Sequence, residues 1–185
     1  QKAHFLGIPV LLRIELLAEL MKSQKGIAIA GSHGKTTTSS MIGWCLENNG
    51  WDPSIVIGGE VSNLGENAKL GSGEYIVAEA DESDGSFLKL NPYIGVVTNI
   101  ENDHLDYYQN LDNLIEAFEK FIGNVSNKGF TILCTDSPIT KELSEKHTKV
   151  ITYGFNPDAD YRATDLELTS TYSKATIYYK GTYLG

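Results

Sequence analysis

The chain has little of what marks secreted scaffolds, membrane spans and nucleic-acid binders. Its 185 residues include only two cysteines, and no apolar run approaches the roughly 18 residues of a membrane-spanning helix. Basic residues are also outnumbered, since 15 lysines and arginines stand against 24 aspartates and glutamates and give a net charge of −9. A surface of that sign does not attract nucleic acids or anionic membranes, so an anionic substrate needs a local positive site. Because no signal peptide is evident either, we expect a soluble cytoplasmic protein with no nucleic-acid or membrane partner.

The two cysteines, Cys45 and Cys134, both stand in apolar runs (WCL and ILC). We expect them to be buried thiols and not a disulfide, because disulfide-stabilised secreted domains use a denser cysteine framework. Hydrophobic residues make up 41% of the chain and charged residues 21%, which is typical of a globular protein with a core. The first residue is Gln1 and not Met, which suggests a piece of a longer protein.

Short apolar runs and amphipathic segments alternate along the chain. The runs predict strands at 25–30, 54–59, 74–80, 93–100, 130–136 and 149–155, and the amphipathic segments predict helices at 9–22, 36–50, 111–125 and 138–147. This order predicts an α/β fold: a three-layer, P-loop-type, mostly parallel sheet flanked by helices. From Asp160 onward the residues alternate between apolar and polar, which predicts a short antiparallel strand region near the C-terminus.

The stretch IAIAGSHGKTTT, residues 27–38, predicts a phosphate-binding loop between a strand and a helix. Glycines let backbone amides point inward, and the helix that follows adds its positive N-terminal end. A lysine then supplies a full charge for the outer phosphates, and the next hydroxyl suits Mg²⁺. The loop is shorter than the common G-x-x-x-x-G-K-[ST] form. The predicted nucleotide-binding residues are Gly31, Ser32, His33, Gly34, Lys35, Thr36 and Thr37.

Acidic residues follow the strand predicted at 74–80, in the stretch IVAEADESDGSF. Ligands of open α/β sheets bind at the carboxyl ends of the strands, and carboxylates suit a hard cation. Glu79 comes first after the apolar residues, so it is the best placed to share Mg²⁺ with Thr36. The alternative is a solvated acidic loop, and that interpretation is favoured more for Glu82 than for its neighbours.

A third polar cluster follows the strand predicted at 93–100, in the stretch VVTNIENDHLDYY. His104 stands there among acids, and a neutral imidazole could bind a second metal ion. The alternative is a surface histidine that caps the next segment. The order Asn99-Ile100-Glu101 departs from the Asn-Lys-x-Asp that a guanine site uses, which argues against a GTPase.

Taken together, GSHGKTTT, EADESDGSF and TNIENDHLDYY resemble the ATP-binding central domain of the Mur ligases, whose relatives include folylpolyglutamate synthase. His33 and the string EADESD most resemble the member that joins L-alanine to UDP-N-acetylmuramic acid, and the muropeptide-recycling member is the next most similar. The family has three domains. The resemblance therefore implies that residues 1–23 are a linker from a missing N-terminal UDP-binding domain, that 24–185 are an incomplete central domain, and that the C-terminal domain is absent.

The resemblance also implies a reaction in peptidoglycan precursor synthesis, with ATP and Mg²⁺ as cofactors. ATP phosphorylates the carboxylate of UDP-N-acetylmuramic acid, and the amine of L-alanine attacks the acyl phosphate. By this resemblance Lys35, Glu79 and His104 are catalytic, and Thr36, Glu79 and His104 bind metal. Asp81, Ser83 and Asp84, in the acidic stretch, are predicted to contact substrate. The fragment alone is expected to be inactive. A phosphotransferase or nucleotide-driven switch, and a non-catalytic nucleotide-binding module, remain the alternatives outside the ligases.

Overall fold

The computed structural model describes residues 2–58 and 68–185. Over these residues, strands of one sheet alternate with α-helices and one 3-10 helix. The strands are β1 (Lys25–Ala30), β2 (Ser54–Val56), β3 (Ala68–Lys69), β4 (Tyr75–Glu79), β5 (Ile94–Val97), β6 (Phe130–Cys134), β7 (Val150–Gly154), β8 (Tyr161–Leu168), β9 (Ser173–Tyr179) and β10 (Thr182–Tyr183). The helices are α1 (Lys2–Phe5), α2 (Arg13–Met21), α3 (Lys35–Asn48), α4 (Leu105–Tyr108), α5 (Leu111–Gly123) and α6 (Pro138–Lys146), and the 3-10 helix is Ser86–Lys89.

The strands lie in the order β3-β2-β4-β1-β5-β6-β7-β8-β9-β10. Pairing is parallel from β2 through β8 and antiparallel at both ends, between β3 and β2 and among β8, β9 and β10. The predicted fold, mostly parallel with antiparallel strands near the C-terminus, is confirmed. The chain runs from β1 to β2 on one side and places β5 on the other, so the carboxyl end of β1 is a topological switch point, where ligands bind in open sheets.

The predicted strand at 25–30 is confirmed as β1, whereas the other predicted strands are shorter in the structure. At β5 and β6 the polar residues that follow the apolar run leave the sheet to form loops. The run 93–100 contributes only four residues to β5, and the segment from Thr98 to Ile100 turns toward the loop after β1. The run 54–59 ends as a strand at Val56, and its last residue lies outside the described residues. The two-residue β3 and the short helices α1 and α4 carry too little pattern for the sequence to predict them.

The first helix that the sequence predicts, at 9–22, forms only from Arg13 to Met21. Ile14, Leu17 and Met21 are buried. In a helix over 9–22, the apolar side chains at helical spacing are Leu12, Leu16, Leu17, Leu20 and Met21. Leu12 lies before the observed helix, and Leu16 and Leu20 are 53% and 43% exposed. The buried face of α2 is therefore narrower than its leucine content indicates.

The prediction that both cysteines are buried is wrong for Cys45, which is exposed, while Cys134 is half-buried. The reason lies in the packing of α3, which turns Ser39 and Gly43 toward the sheet. A Cβ on Gly43 would stand 3.0 Å from Ile55 Cδ1, so α3 approaches β2 through its smallest residue. Cys45 therefore lies on the outer side of the helix. Both thiols are free, as predicted, and burial raises the pKa of Cys134.

Aromatic packing anchors the acidic loop that follows β4. Phe87, on the 3-10 helix that ends this loop, is fully buried. Its ring centroid lies 5.4 Å from that of Phe118 and 5.3 Å from that of Phe121, both on α5. The side-chain amide of Asn124 also donates to the carbonyl of Leu88 at 2.9 Å. The loop is thus tied to the core at its far end.

Within residues 2–58 and 68–185, none of the helices combines the length and the apolar character that a bilayer crossing requires.

Replacing Phe87 tests how much the anchored loop contributes to stability. Phe87→Ala removes a buried aromatic ring between two others, so we expect it to lower the free energy of unfolding by about 3–5 kcal/mol. Urea denaturation followed by circular dichroism measures this. Phe5→Ala is the matched control, because Phe5 is 89% exposed and its loss leaves no cavity. Equal effects of the two substitutions would contradict the packing described here.

Candidate functional site

The loop between β1 and α3 needs glycine at two positions. Gly31 has a φ of 136° and Gly34, which caps the N-terminus of α3, has a φ of 79°. A Cβ on Gly31 would stand 2.1 Å from Thr98 Oγ1, whereas a Cβ on Gly34 would meet no atom within 4 Å. Gly31 thus allows a close approach to the end of β5, and Gly34 allows the turn into the helix.

Polar groups after β5 hold this loop in place. The amides of Ser32 and His33 donate to the carbonyl and the side-chain oxygen of Asn99, at 3.0 and 2.9 Å. In return, Asn99 Nδ2 and Thr98 Oγ1 donate to the carbonyl of His33, at 3.0 and 2.6 Å. The hydroxyl of Ser32 accepts from the amide of Glu101 at 2.9 Å. Sequence reasoning missed this bracing role of Asn99, which it weighed only as part of a guanine site.

The helix that follows supplies donors for an anion. Lys35, Thr36 and Thr37 form the first turn of α3, where backbone amides have no intrahelical acceptor. The amides of a first helical turn, together with the helix dipole, favour negative charge. Because the amides of Ser32 and His33 are engaged with Asn99, the donors that remain for an anion are mainly those of this first turn.

Thr36 contacts Glu79, the last residue of β4, which lies next to β1 in the sheet. The hydroxyl of Thr36 lies 3.1 and 3.0 Å from the two carboxylate oxygens of Glu79, which ends β4. The amide of Gly58 donates to Glu79 Oε2 at 3.0 Å, and a Cβ on Gly58 would stand 3.1 Å from that oxygen. The carboxylate is therefore held above the start of α3, and the cation that the sequence analysis assigns to this pair stays a prediction.

The spacing of these oxygens fits magnesium. Adjacent oxygen ligands of an octahedral magnesium ion stand about 3 Å apart, which follows from its metal–oxygen distance of about 2.1 Å. In the part of the chain that the structure describes, no group of three or more His, Cys, Asp or Glu side chains could hold a metal by itself. Magnesium commonly takes one or two carboxylates and completes its shell with water and phosphate oxygens. Thr36 and Glu79 suit a site of that kind.

Lys35 turns back toward the protein and contacts a buried acid. Its ammonium donates to the carbonyls of Gly31 and Ser32 at 2.7 and 3.3 Å, and to Glu82 Oε1 at 3.0 Å. The Glu82 side chain is 1% exposed and that of Lys35 is 14% exposed. The interpretation of Glu82 as a solvated loop acid is therefore wrong. No pattern in the sequence separates it from its acidic neighbours, because its burial depends on the loop around it.

His104 lies on the other side of the same acid. Its Nε2 is 3.6 Å from Glu82 Oε1 and 3.7 Å from Asp103 Oδ2. The residue occupies the N-cap position of α4 with a φ of 53°, but its side chain makes no capping hydrogen bond. Its imidazole faces the site and does not cap the segment. The structure thus brings Lys35, Glu82 and His104 into one group, next to the Thr36–Glu79 contact.

The three residues predicted to contact substrate shape the acidic loop. Asp81 Oδ1 accepts from the amide of Ser83 at 3.0 Å, and Asp84 Oδ1 accepts from the amide of Ser86 at 2.9 Å. Hydrogen bonds from Ser86 hold the pKa of Asp84 below its usual range. Asp84 is exposed and Asp81 is half-buried, so their role toward a substrate stays a prediction.

The fold and the loop together define a P-loop-type α/β domain. A glycine-containing loop joins the central strand to the start of a helix at the switch point of the sheet. Acidic residues from one neighbouring strand and a histidine after the other border that loop.

Comparison with known proteins identifies the family. The family model of the Mur ligase middle domain matches residues 29–184, so the chain belongs to that family. It is 55% identical to the UDP-N-acetylmuramate–L-alanine ligase of Carboxydothermus hydrogenoformans, over 100% of this chain and 40% of that protein. It is 53% identical to the ligase of the same name from Pelotomaculum thermopropionicum, over 97% of this chain and 39% of that protein. The chain therefore spans about two fifths of the length of these relatives.

Solved structures show the same similarity. The UDP-N-acetylmuramate–alanine ligase of Thermotoga maritima matches with a TM-score of 0.82 and 25% identity, over 99% of this chain and 41% of that one. The UDP-N-acetylmuramate:L-alanyl-γ-D-glutamyl-meso-diaminopimelate ligase of Neisseria meningitides matches with a TM-score of 0.82 and 25% identity, over 98% of this chain and 60% of that one. The two folds are equally similar to this chain.

The two loop glycines allow a matched test of the bracing against β5. Gly34→Ala imposes an unfavourable φ without a clash, so we expect it to lower the free energy of unfolding by about 1–2 kcal/mol. Gly31→Ala adds a clash with Thr98 and Asn99, so we expect it to cost at least about 2 kcal/mol more. Urea denaturation of both variants measures the difference. Equal costs would mean that the loop is free to move away from β5.

Proposed function

We propose that the chain is the nucleotide-binding part of an ATP-dependent ligase that joins L-alanine to UDP-N-acetylmuramic acid. The observation that carries the proposal is the contact of Thr36, at the start of α3, with Glu79 at the end of the adjacent strand. Such a pair beside a glycine-containing loop suits a nucleotide phosphate with a magnesium ion. The names and identities of the curated relatives support the choice of L-alanine and UDP-N-acetylmuramic acid.

The residues of the loop would bind and orient the phosphates of ATP. The first-turn amides of α3 would donate to phosphate oxygens, and Lys35 would neutralise charge on the β- and γ-phosphates. Gly31, Ser32, His33 and Gly34 would form the wall of the loop, with Thr37 as a further donor. Phosphoryl transfer is promoted mainly by positioning and charge neutralisation, which is what these groups supply.

The metal ligands come from three segments. Thr36 and Glu79 would hold one magnesium ion and His104 a second, and these ions supply charge neutralisation to phosphates and carboxylate when bound. Glu79 is oriented for this by the amide of Gly58, and His104 by its contact with Glu82.

The proposed reaction has two steps. A carboxylate oxygen of UDP-N-acetylmuramic acid attacks the γ-phosphorus of ATP, which forms an acyl phosphate and releases ADP. The amine of L-alanine then attacks the acyl carbon, the amide forms and phosphate leaves, while the amine loses a proton. Residues Asp81, Ser83 and Asp84 stand beside the loop and are proposed to contact the substrates. We further propose that residues 1–23 link this domain, 24–185, to a UDP-binding domain, and that the 185 residues alone do not catalyse ligation.

A second ligase activity is the main alternative. The muropeptide-recycling type would join a peptide, and not L-alanine, to the same acid. The Neisseria ligase, whose name specifies a tripeptide, is as similar in fold to this chain as the Thermotoga ligase is. Identities of 53% and 55% to ligases named for L-alanine favour the first activity.

Substrate dependence tests the proposed activity. In the full-length protein, we expect phosphate release from ATP only when both UDP-N-acetylmuramic acid and L-alanine are present, because the amine must intercept the acyl phosphate. A coupled assay of phosphate release, with mass spectrometry of the product, measures this. Glycine, L-serine and the tripeptide L-alanyl-γ-D-glutamyl-meso-diaminopimelate are the competing acceptors. Faster turnover with the tripeptide would favour the recycling activity, and phosphate release without any amine would favour a phosphotransferase or switch.

The role of Glu79 can be tested through its metal. Glu79→Gln removes a charged magnesium ligand, so we expect the Mg²⁺ concentration that half-saturates nucleotide binding to rise roughly 10- to 100-fold. Calorimetric titration of ADP at several Mg²⁺ concentrations measures this without turnover. Glu74→Gln is the matched control. Glu74 is an exposed acid that pairs with Lys25 and lies just before the N-terminal end of β4, whereas Glu79 lies at its C-terminal end. An unchanged Mg²⁺ dependence in Glu79→Gln would remove Glu79 from the site.

A further inference from the structure

Glu82 is a buried acid between Lys35 and His104, and the proposed chemistry uses it only to orient His104, which leaves its contact with Lys35 without a role. Its backbone is fixed, since the hydroxyl of Tyr108 and the amide of Gly85 donate to its carbonyl at 2.5 and 3.0 Å. Its side-chain Oε1 accepts from Lys35, while Oε2 is buried and has no hydrogen-bond partner among the described residues. A buried carboxylate with one free oxygen depends strongly on the partner that it has.

Lys35 has no donor to spare in this arrangement. An ammonium group has three N–H donors, and the structure gives this one three acceptors: two loop carbonyls and Glu82 Oε1. A phosphate that enters the loop must therefore replace at least one of these acceptors. The carboxylate is the charged acceptor of the three, so it is the strongest competitor for the ammonium.

We propose that Glu82 is a positioning residue that competes with the nucleotide phosphates for the Lys35 ammonium. Before a nucleotide binds, Glu82 holds Lys35 against the loop. When phosphates enter, Lys35 moves to them and His104, whose Nε2 lies 3.6 Å from Glu82 Oε1, becomes the nearest partner of the acid. Nucleotide affinity is thereby held below what the loop alone allows, which favours release of ADP after each turnover. This inference takes only one element from the proposed function, namely that a nucleotide binds in the loop.

The sign of the effect separates this role from a structural one. Glu82→Gln keeps the shape of the side chain but removes its charge, so Lys35 is released more easily. In the full-length protein without Mg²⁺, we expect tripolyphosphate and ADP to bind roughly tenfold more tightly, because a charge-assisted hydrogen bond no longer competes. The KM for ATP should fall by a similar factor. A variant with a damaged fold would bind these anions more weakly.

Two further variants complete the test. Asp106→Asn removes the same charge from an exposed position two residues after His104, and we expect it to change tripolyphosphate affinity less than twofold. Lys35→Met leaves Glu82 buried without its partner, so the urea midpoint should fall, and Lys35→Met/Glu82→Gln should recover it. In the Lys35→Met background, Glu82→Gln should no longer tighten binding.

Each result has one meaning. Unchanged or weaker tripolyphosphate binding in Glu82→Gln, an equal effect of Asp106→Asn, or no recovery of the urea midpoint in the double variant would overturn the competition. If the full-length protein does not join L-alanine to UDP-N-acetylmuramic acid, but Glu82→Gln still binds tripolyphosphate more tightly, only the proposed function is overturned.

Discussion

The site depends on one close contact, that of the loop after β1 with the end of β5. Gly31 lies where any Cβ would stand 2.1 Å from Thr98 Oγ1, and Asn99 joins the same loop through backbone and side chain. The loop is therefore fixed before α3 begins. Since α3 starts at Lys35, directly after the loop, the loop also fixes the position of its first turn. The Lys35 ammonium, the Thr36 hydroxyl and the free amides of that turn therefore lie on the same side of the loop.

The order of the strands decides which residues meet there. Glu79 pairs in register with Ile29, so it stands beside the last residues of β1. On the other side of β1, Val97 pairs with Ala30, and the segment after it leads to His104. Thr36 and Glu79 are 43 residues apart, and Lys35 and Glu82 are 47 apart. Only the parallel pairing of the central strands brings these groups together, which makes the site a product of the whole sheet.

This dependence explains what the sequence could and could not predict. In the sequence, a strand end appears as an apolar run that stops at polar residues. This pattern alone is enough to place Glu79 and His104 together at the carboxyl ends of neighbouring strands. The burial of Glu82 depends on Tyr108 and on the anchoring of Phe87 by α5, and no local pattern reports such distant contacts. Cys45 shows the same limit, since its exposure follows from the approach of Gly43 to β2.

The local charges set a condition on any anion that enters. The chain carries a net charge of −9, and in this site Glu79 and Glu82 stand against one lysine. If Lys35 moves to a phosphate, Glu79 and Glu82 both face the negative charge of that phosphate. Because the site is partly buried, solvent and salt do not fully screen the repulsion between the carboxylates and the phosphate. A phosphate that carries a divalent cation to Glu79 avoids this repulsion, because the cation offsets the carboxylate and the phosphate together. On the proposed function, the acids around the loop would therefore favour a metal–nucleotide complex over the free nucleotide as the species that binds productively.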